Sequence, residues 1–436
     1  MEATQTASKK VLNGWAMYDW ANSVYSLVIT TTFFPVYFNE LTNPAPFNGR
    51  ITILGMSFVN TVLYNYALAF TYLLVAITMP VLTSVADFRG SKKNFMKVFV
   101  LLGSVACASM YFFTTDTIST GIACMMVAAF AFYSSLVFYN SYLPEIAAPK
   151  DRDRVSAKGF MYGYVGSVLM QAIGFLLVLL WDKIPFINSA AHAVRITFLL
   201  VGLWWFGFAQ VTFSRLPKGI KNPHTKDYSV FTGGFIELKK VFGMVVKSPK
   251  LKRFLTAFFF YNMGVQTVIL AATNFGSKEL NLPSTNLIIT VVMIQLVAIA
   301  GAFVISRLSG KFGNIPVLIG TVIFWIFICI AGYQMQTAMH FYLMAIAVGL
   351  VLGGIQSLSR STYSKLMPPT NDTASFFSFY DVTEKIAIVI GLFVFGFIEE
   401  ATGSMRNSVL ALIVFFVLGL LFLILAHKKT ENKNLA

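Results

Sequence analysis

Twelve stretches of this chain stay apolar for about 20 residues or more, the length a helix needs to cross the hydrocarbon of a bilayer. They lie near 12–38, 63–86, 95–114, 118–144, 157–181, 191–213, 251–276, 285–307, 315–334, 338–366, 374–401 and 405–426. Runs this numerous cannot all be buried in a soluble core, and they lack the polar–apolar alternation of barrel strands. Apolar residues make up 57% of the 436 and charged residues only 12%, where soluble domains carry about a quarter charged. The reading is an all-α integral membrane protein with twelve transmembrane helices.

Basic residues then set the orientation. One set of connections and adjoining helix ends holds Lys9, Lys10, Arg89, Lys92, Lys93, Lys97, Lys150, Arg152, Arg154 and Lys158. It also holds ten more between 215 and 253, then Arg307, Lys311, Arg360, Lys365, Lys428, Lys429 and Lys433. The opposite set holds only Arg50, Lys183, Arg195, Lys278 and Arg406. Both termini are therefore expected in the cytoplasm, with the first helix as its own uncleaved insertion signal. The net charge of +15 is mostly this bias. No basic run is interleaved with base-stacking aromatics, so nucleic acid is not an expected partner. Cys107, Cys124 and Cys329 fall in apolar runs without metal or redox spacing, and no metal or cofactor is expected.

The longest cytoplasmic connection, about 214–250, divides the runs into two six-helix bundles, 1–213 and 251–436. It opens polar and becomes FIELKKVFGMVVK, with Phe235, Leu238, Val241, Phe242 and Val245 at helical spacing beside Lys239, Lys240 and Lys247. That pattern suits an amphipathic helix lying on the membrane, or a plain tether. The halves look weakly repeated: Tyr18-Asp19 aligns with Tyr261-Asn262, and VADFRGSKK after the second run has an echo in SRLSGKFGN after the eighth. Parallel six-helix repeats around a central cavity are a common design of secondary transporters.

The loop TSVADFRGSKK, Thr83–Lys93, resembles the cytoplasmic loop signature of the major facilitator superfamily, with Ala86, Asp87, Gly90 and Lys92 matched. Thr83, Phe88 and Ser91 depart from it. Asp87 closes a helix, and such a carboxylate can latch onto basic groups or a helix N-terminus of the other half. Gly90 permits the turn. With the pattern's first arginine missing, Arg89 is a candidate replacement. The opening stretch GWAMYDWANSVYSLVI is similar to the start of one branch of that superfamily, the autophagy-related vacuolar amino-acid effluxers and their bacterial relatives. VFYNSYLPEIA, DRVSAKGFMYGYVGS, GGIQSLSRSTYSKLMP and SFFSFYDVTEKIAIVIGLFVFGFI extend the similarity along nearly the whole chain. The resemblance implies the fold and a transport role.

Charged groups inside apolar runs are the site candidates, because a carboxylate in hydrocarbon costs about 2.5–3.5 kcal/mol on insertion scales. In the first run Asp19, Asn22, Ser26 and Thr30 share one helical face, with Asp19 about 10 Å from the cytoplasmic end at 1.5 Å per residue. Asp19 either marks a proton or solute path or ties two helices together. In the eleventh run Asp381 and Lys385 stand four apart and could neutralise each other, with Glu384 left over; alternatively Lys385 reaches Asp19. The cluster is either a network that rearranges between states or one solvated by the cytoplasmic vestibule. Tyr18, Tyr139, Asn140, Asn262, Gln266, Gln356, Ser359 and Arg360 are the further cavity-lining candidates, since the superfamily lines its cavity with helices 1, 4, 7 and 10. Arg360 suits a substrate carboxylate or is a topology charge. Gly349, Gly353 and Gly354 would let the tenth helix pack closely or bend.

No P-loop for ATP, HExxH or GxSxG occurs, and the Gly-x-Gly-Asp of intramembrane aspartyl proteases is missing. The expected function is secondary active transport of a small polar solute, amino-acid-like and exported by family resemblance, with Asp19, Asp381 and Glu384 as proton-binding candidates. A sugar, polyol, peptide or drug suits the residues equally, and a non-transporting sensor or scaffold on the same fold is the other class. The protein is expected in the cell (inner) membrane as a monomer, with lipid, solute and protons as its partners.

Overall fold

The computed structural model describes residues 4–53, 55–217 and 230–431. Helical segments coincide with all twelve apolar runs. The first, α1, runs Lys9–Val24 and continues as a π-helix over Tyr25–Phe33 and an α-helix over Phe34–Thr42. Then come α2 (Asn60–Arg89), α3 (Lys92–Ser109), α4 (Ile118–Ser141), α5 (Arg152–Leu179) and α6 (Ala190–Arg215). After the linker helix Val230–Lys247 follow α7 (Pro249–Leu280), α8 (Ser284–Phe312), α9 (Asn314–Gln334), α10 (Ala338–Leu366), α11 (Thr373–Thr402) and α12 (Met405–Glu431).

Among the described residues ten helices, α2–α10 and α12, are long and apolar enough to cross a membrane. The other two carry Asp19 and the Asp381, Glu384 and Lys385 group. α1 is broken by its π segment, and α11 is crowded by Asp381, Glu384, Lys385 and the closing Glu399-Glu400. A two-stranded antiparallel hairpin, β1 (Arg50–Ile53) with β2 (Met56–Val59), joins α1 to α2, and Ile51 pairs with Phe58. The short RITI and MSFV segments alternate weakly, which is why a reading for apolar runs passes over them.

We call α1–α6 the first half and α7–α12 the second. Within the first half α1 packs on α5 and α6, and α4 on α2 and α3; within the second, α7 packs on α11 and α12, and α8 on α10. Across the divide α2 and α4 meet α11, while α5 meets α8 and α10. The second-half core depends on missing side chains. A Cβ on Gly353 would sit 2.3 Å from the Ala298 carbonyl oxygen, and one on Gly301 would sit 2.2 Å from that of Leu350. Close backbone approach through small residues is how apolar helices associate where lipid offers no hydrophobic drive. The linker helix extends the expected amphipathic segment by five residues towards its start. It buries Val241 and Val245, leaves Phe235 and Phe242 exposed, and packs against α2, α7 and α11.

Candidate functional site

The two halves are joined at the end of the bundle that carries both chain termini. α2 stops at Gly90, whose backbone adopts φ +62, and this places Asp87 in the last turn against the start of α11. Asp87 Oδ2 accepts from the Ser375 amide at 2.7 Å and the Ser375 hydroxyl at 2.8 Å, and Oδ1 from the Ala374 amide at 3.3 Å. The first amides of any helix lack intrahelical partners. α11's own cap residue, Asp372, makes no capping bond; its carboxylate instead accepts from Lys240 of the linker helix at 2.8 Å. A carboxylate from the other half therefore does the capping. Lys92 stands 3.9 Å from Asp87, donates to the Thr373 hydroxyl at 2.7 Å and bonds Glu145.

A second junction lies at the start of α5. Buried Arg152 donates to the Ser364 carbonyl in the last turn of α10 at 2.8 Å, a favourable place for a cation. Asp153 accepts from Ser309 at 2.9 Å, Asn314 at 2.8 Å and Lys365 at 2.7 Å, joining α5 to α8, α9 and α10.

Deeper in the bundle, Asp19 of α1 faces Arg360 of α10 with both guanidinium terminal nitrogens at 3.4 Å from Oδ2. The Tyr139 hydroxyl donates to the same oxygen at 2.8 Å. Charge-assisted bonds normally close to about 2.7–2.9 Å, so the pair is loose. Arg360 is better held by neutral groups: the Ser156 hydroxyl at 2.9 Å, the Ser156 carbonyl at 2.8 Å and the Asn140 side-chain oxygen at 3.0 Å. Its guanidinium also lies 4.3 Å from the Phe160 ring centre and 4.9 Å from that of Trp15, within cation–π range. Trp15 stacks on Tyr139 at 4.4 Å and donates to its carbonyl at 3.0 Å. Gly159 makes this meeting possible, because a Cβ there would lie 2.4 Å from Asp19 Oδ2, 2.8 Å from the Tyr139 hydroxyl and 3.0 Å from Arg360.

The α11 charges form a separate cluster. Lys385 is buried, 3.1 Å from Asp381 and 3.7 Å from Glu384, and lies over the Tyr133 ring of α4 at 4.2 Å. Gln266 of α7 donates to Glu384 at 3.1 Å and sits beside Asn262. Asp381 Oδ2, the Asn262 amide nitrogen, the Asn22 amide nitrogen and the Tyr18 hydroxyl are buried without a protein partner.

A family model for "Vacuole effluxer Atg22 like" matches residues 7–435. The chain belongs to that Atg22-like family. It is 30% identical over 427 residues to an uncharacterized MFS-type transporter, YxiO, of Bacillus subtilis, covering 96% of this chain and 95% of that one. Autophagy-related protein 22-1 of Phaeosphaeria nodorum is 23% identical, with 96% of this chain and 90% of that one covered. Among solved structures the E. coli fucose:proton symporter superposes with a TM-score of 0.69 at 14% identity, covering 96% and 97% of the two chains. The proton:xylose symporter XylE superposes at 0.72 with 11% identity, covering 95% and 94%. This Atg22-like chain is thus an integral, multi-pass transporter of the major facilitator superfamily.

Measured against the sequence candidates, Asp19, Tyr139, Asn140 and Arg360 come together, and so do Asn262, Gln266, Asp381, Glu384 and Lys385. Lys385 does not reach Asp19; it is neutralised within α11, and Arg360 takes that place. Arg89 is exposed and Lys92 is the basic group beside Asp87. Gln356 and Ser359 of α10 are held by tyrosines, Tyr164 at 2.8 Å and Tyr261 at 2.7 Å. The α1 stripe does not stay on one face. From Tyr25 the helix widens to i→i+5 bonding, so half-buried Ser26 and buried Thr30 fall out of phase with Asp19 and Asn22. The Leu27 carbonyl is taken by Thr31, Thr32 and, at 2.9 Å, by Gln171 of α5; Gln171 in turn accepts from Gln295 of α8 at 3.1 Å. Ser156, Gly159, Phe160, Gln171 and Asp153 escaped sequence reading. Serine, glycine and phenylalanine carry no signal in an apolar run, but Gln171 and Asp153 were visible as polar residues at helix positions.

Proposed function

We propose that this chain is a secondary active transporter that exports a small polar, amino-acid-like solute by alternating access, coupled to protons through Asp19, Asp381 and Glu384. It crosses the inner membrane twelve times as two six-helix bundles, 1–213 and 251–436, with both termini cytoplasmic and as a monomer. The observation that carries this reading is the Asp19–Arg360 contact. It joins α1 to α10 across the two halves, it is loose, and it is buried. Parting the halves breaks it and presents an anion and a cation to the same space, which suits a zwitterion. The unpartnered atoms of Tyr18, Asn22, Asn262 and Asp381 supply further bonds for a polar solute. The family's description as a vacuole effluxer supports export, and the amino-acid-like cargo rests on the sequence resemblance alone. The junctions through Asp87 and Asp153 hold the halves together at the terminus-bearing end.

Purified protein in liposomes, loaded with a labelled amino-acid mixture, tests this. Asp19→Asn is expected to cut flux at least about tenfold, since an interaction worth one to two kcal/mol in a transition state is worth roughly that factor. Unchanged flux removes Asp19 from the mechanism, and no flux of any amino acid by the native chain removes the cargo class.

A further inference from the structure

The linker helix, α7 and α11 enclose a groove of about 290 Å³ lined by Val245, Lys252, Leu255, Thr256, Phe259, Val382, Thr383 and Ile386. Its walls are apolar in effect. The Thr256 hydroxyl donates to the Lys252 carbonyl at 3.0 Å and that of Thr383 to the Phe379 carbonyl at 2.7 Å. Both threonine hydroxyls are therefore satisfied within their own helices. The mouth is basic. Lys252 lines it and is exposed, Lys247 ends the linker helix and is exposed, and Lys250 lies between them. No carboxylate lines the groove, and no ion pair engages these three lysines among the described residues. The linker helix that forms one wall has its apolar side partly against the bundle, through Val241 and Val245, while Phe242 stays exposed 6.1 Å from Phe379 of α11.

We propose that this groove is a binding site for one anionic phospholipid of the adjoining leaflet. An acyl chain lies between Leu255, Phe259 and Ile386, and the phosphate meets Lys252 and Lys247. The charge pattern picks an anionic over a zwitterionic headgroup, because each lysine near a membrane surface adds attraction for negative lipid. The length of the apolar walls picks a lipid over a free phosphate. The same linker helix holds Asp372 through Lys240, one residue before α11 begins. A lipid wedged behind the linker therefore bears on the helix whose first turn Asp87 caps.

Native mass spectrometry of the full-length protein, released from micelles carrying equal amounts of phosphatidylglycerol and phosphatidylcholine with the same chains, tests the site. One phosphatidylglycerol is expected to survive activation on the native protein in preference to phosphatidylcholine. The double change Lys247→Glu with Lys252→Glu is expected to lower that occupancy by on the order of tenfold. Thr256→Trp, which fills the groove and keeps the charge, is expected to lower it as well. Glycerol phosphate, which offers the headgroup alone, is expected not to compete. A thermal-unfolding shift on the native protein, larger with phosphatidylglycerol than with phosphatidylcholine, provides the readout that needs no variant. Equal retention and equal shifts for the two lipids, or full occupancy in both variants, overturn the proposal; competition by glycerol phosphate reduces it to an anion site and overturns the lipid assignment.

Discussion

Replacing Asp87 by alanine should open the terminus-bearing end of the bundle, and the size of the effect can be worked out from its bonds. The carboxylate accepts two short bonds, from the Ser375 amide and hydroxyl at 2.7 and 2.8 Å, and a longer one from the Ala374 amide at 3.3 Å. Hydrogen bonds to a charged group are worth about 1.5–3 kcal/mol each, and a buried donor left without a partner costs about 1–3 kcal/mol. Lys92 loses a neighbour at 3.9 Å but keeps Glu145, so its charge stays compensated. In an opened state water reaches the first turn of α11, so the loss falls on the closed state alone. A net penalty of about 3 kcal/mol shifts the closed-to-open ratio by on the order of a hundredfold. Spin labels at exposed Arg89 and Lys311, in a background with Cys107, Cys124 and Cys329 replaced by alanine, report that separation by double electron–electron resonance. The native chain should give one short distance and Asp87→Ala a dominant longer one. Ser375→Ala removes only the hydroxyl bond and should shift the ratio by about tenfold or less. Added to Asp87→Ala it should change nothing further, because both act on one interaction. An unaltered distance distribution in Asp87→Ala would refute the latch.

Gly159→Ala should be poorly tolerated although it adds a single methyl. Its carbon would intrude to 2.4 Å from Asp19 Oδ2, and overpacking of this kind costs about 1–3 kcal/mol, read as a lower unfolding temperature and lost liposome flux; native behaviour in both would contradict the described contact. Lys385→Met should leave Asp381 and Glu384 uncompensated, at about 3–5 kcal/mol for breaking a buried pair. Combining it with Asp381→Asn should recover a large part of the unfolding temperature, and a double variant no better than the single would show that the pair is not the cause.

The periodicity of apolar runs carries most of the fold, since each helix long enough to cross a bilayer announces itself by length and composition alone. The site is legible only as isolated oddities. Asp19 and Arg360 each stand out in apolar runs, but they lie 341 residues apart, and nothing local says that they meet. Lys385, one turn from Asp381, does not pair with Asp19, because local neutralisation through i,i+4 geometry wins over a long-range pair. Gly159 is invisible because its contribution is the absence of a side chain. The π segment of α1 is hidden for a related reason. Within it the Leu27 carbonyl accepts from Thr31, Thr32 and Gln171, residues that mark no wide turn in the sequence, so a stripe drawn at α-helical spacing runs off its face after one turn. Asp87 is the counterexample. A carboxylate just before a turn glycine, in a loop matching a known signature, suggested a partner at a helix N-terminus of the other half, and that is where it lies.

The polar contacts that cross between the halves run mostly in one sense, although Lys92 and Arg152 of the first half also cross, each to a neutral oxygen. Asp19, Asp87, Asp153 and Glu145 come from the first half, while Arg360, Lys365, the Thr373 hydroxyl and the amide end of α11 come from the second. Two sets of helices in one membrane are at risk of mistaking each other, or a neighbouring copy, for the proper mate. Here two first units would leave Asp19 and Asp153 without their basic partners, and two second units would leave Arg360 and Lys365 without theirs, so mispairing goes unrewarded. The polarity makes the contact a plug and socket. Each nascent chain carries one of each, and the fit selects the chain's own other half during assembly in the bilayer.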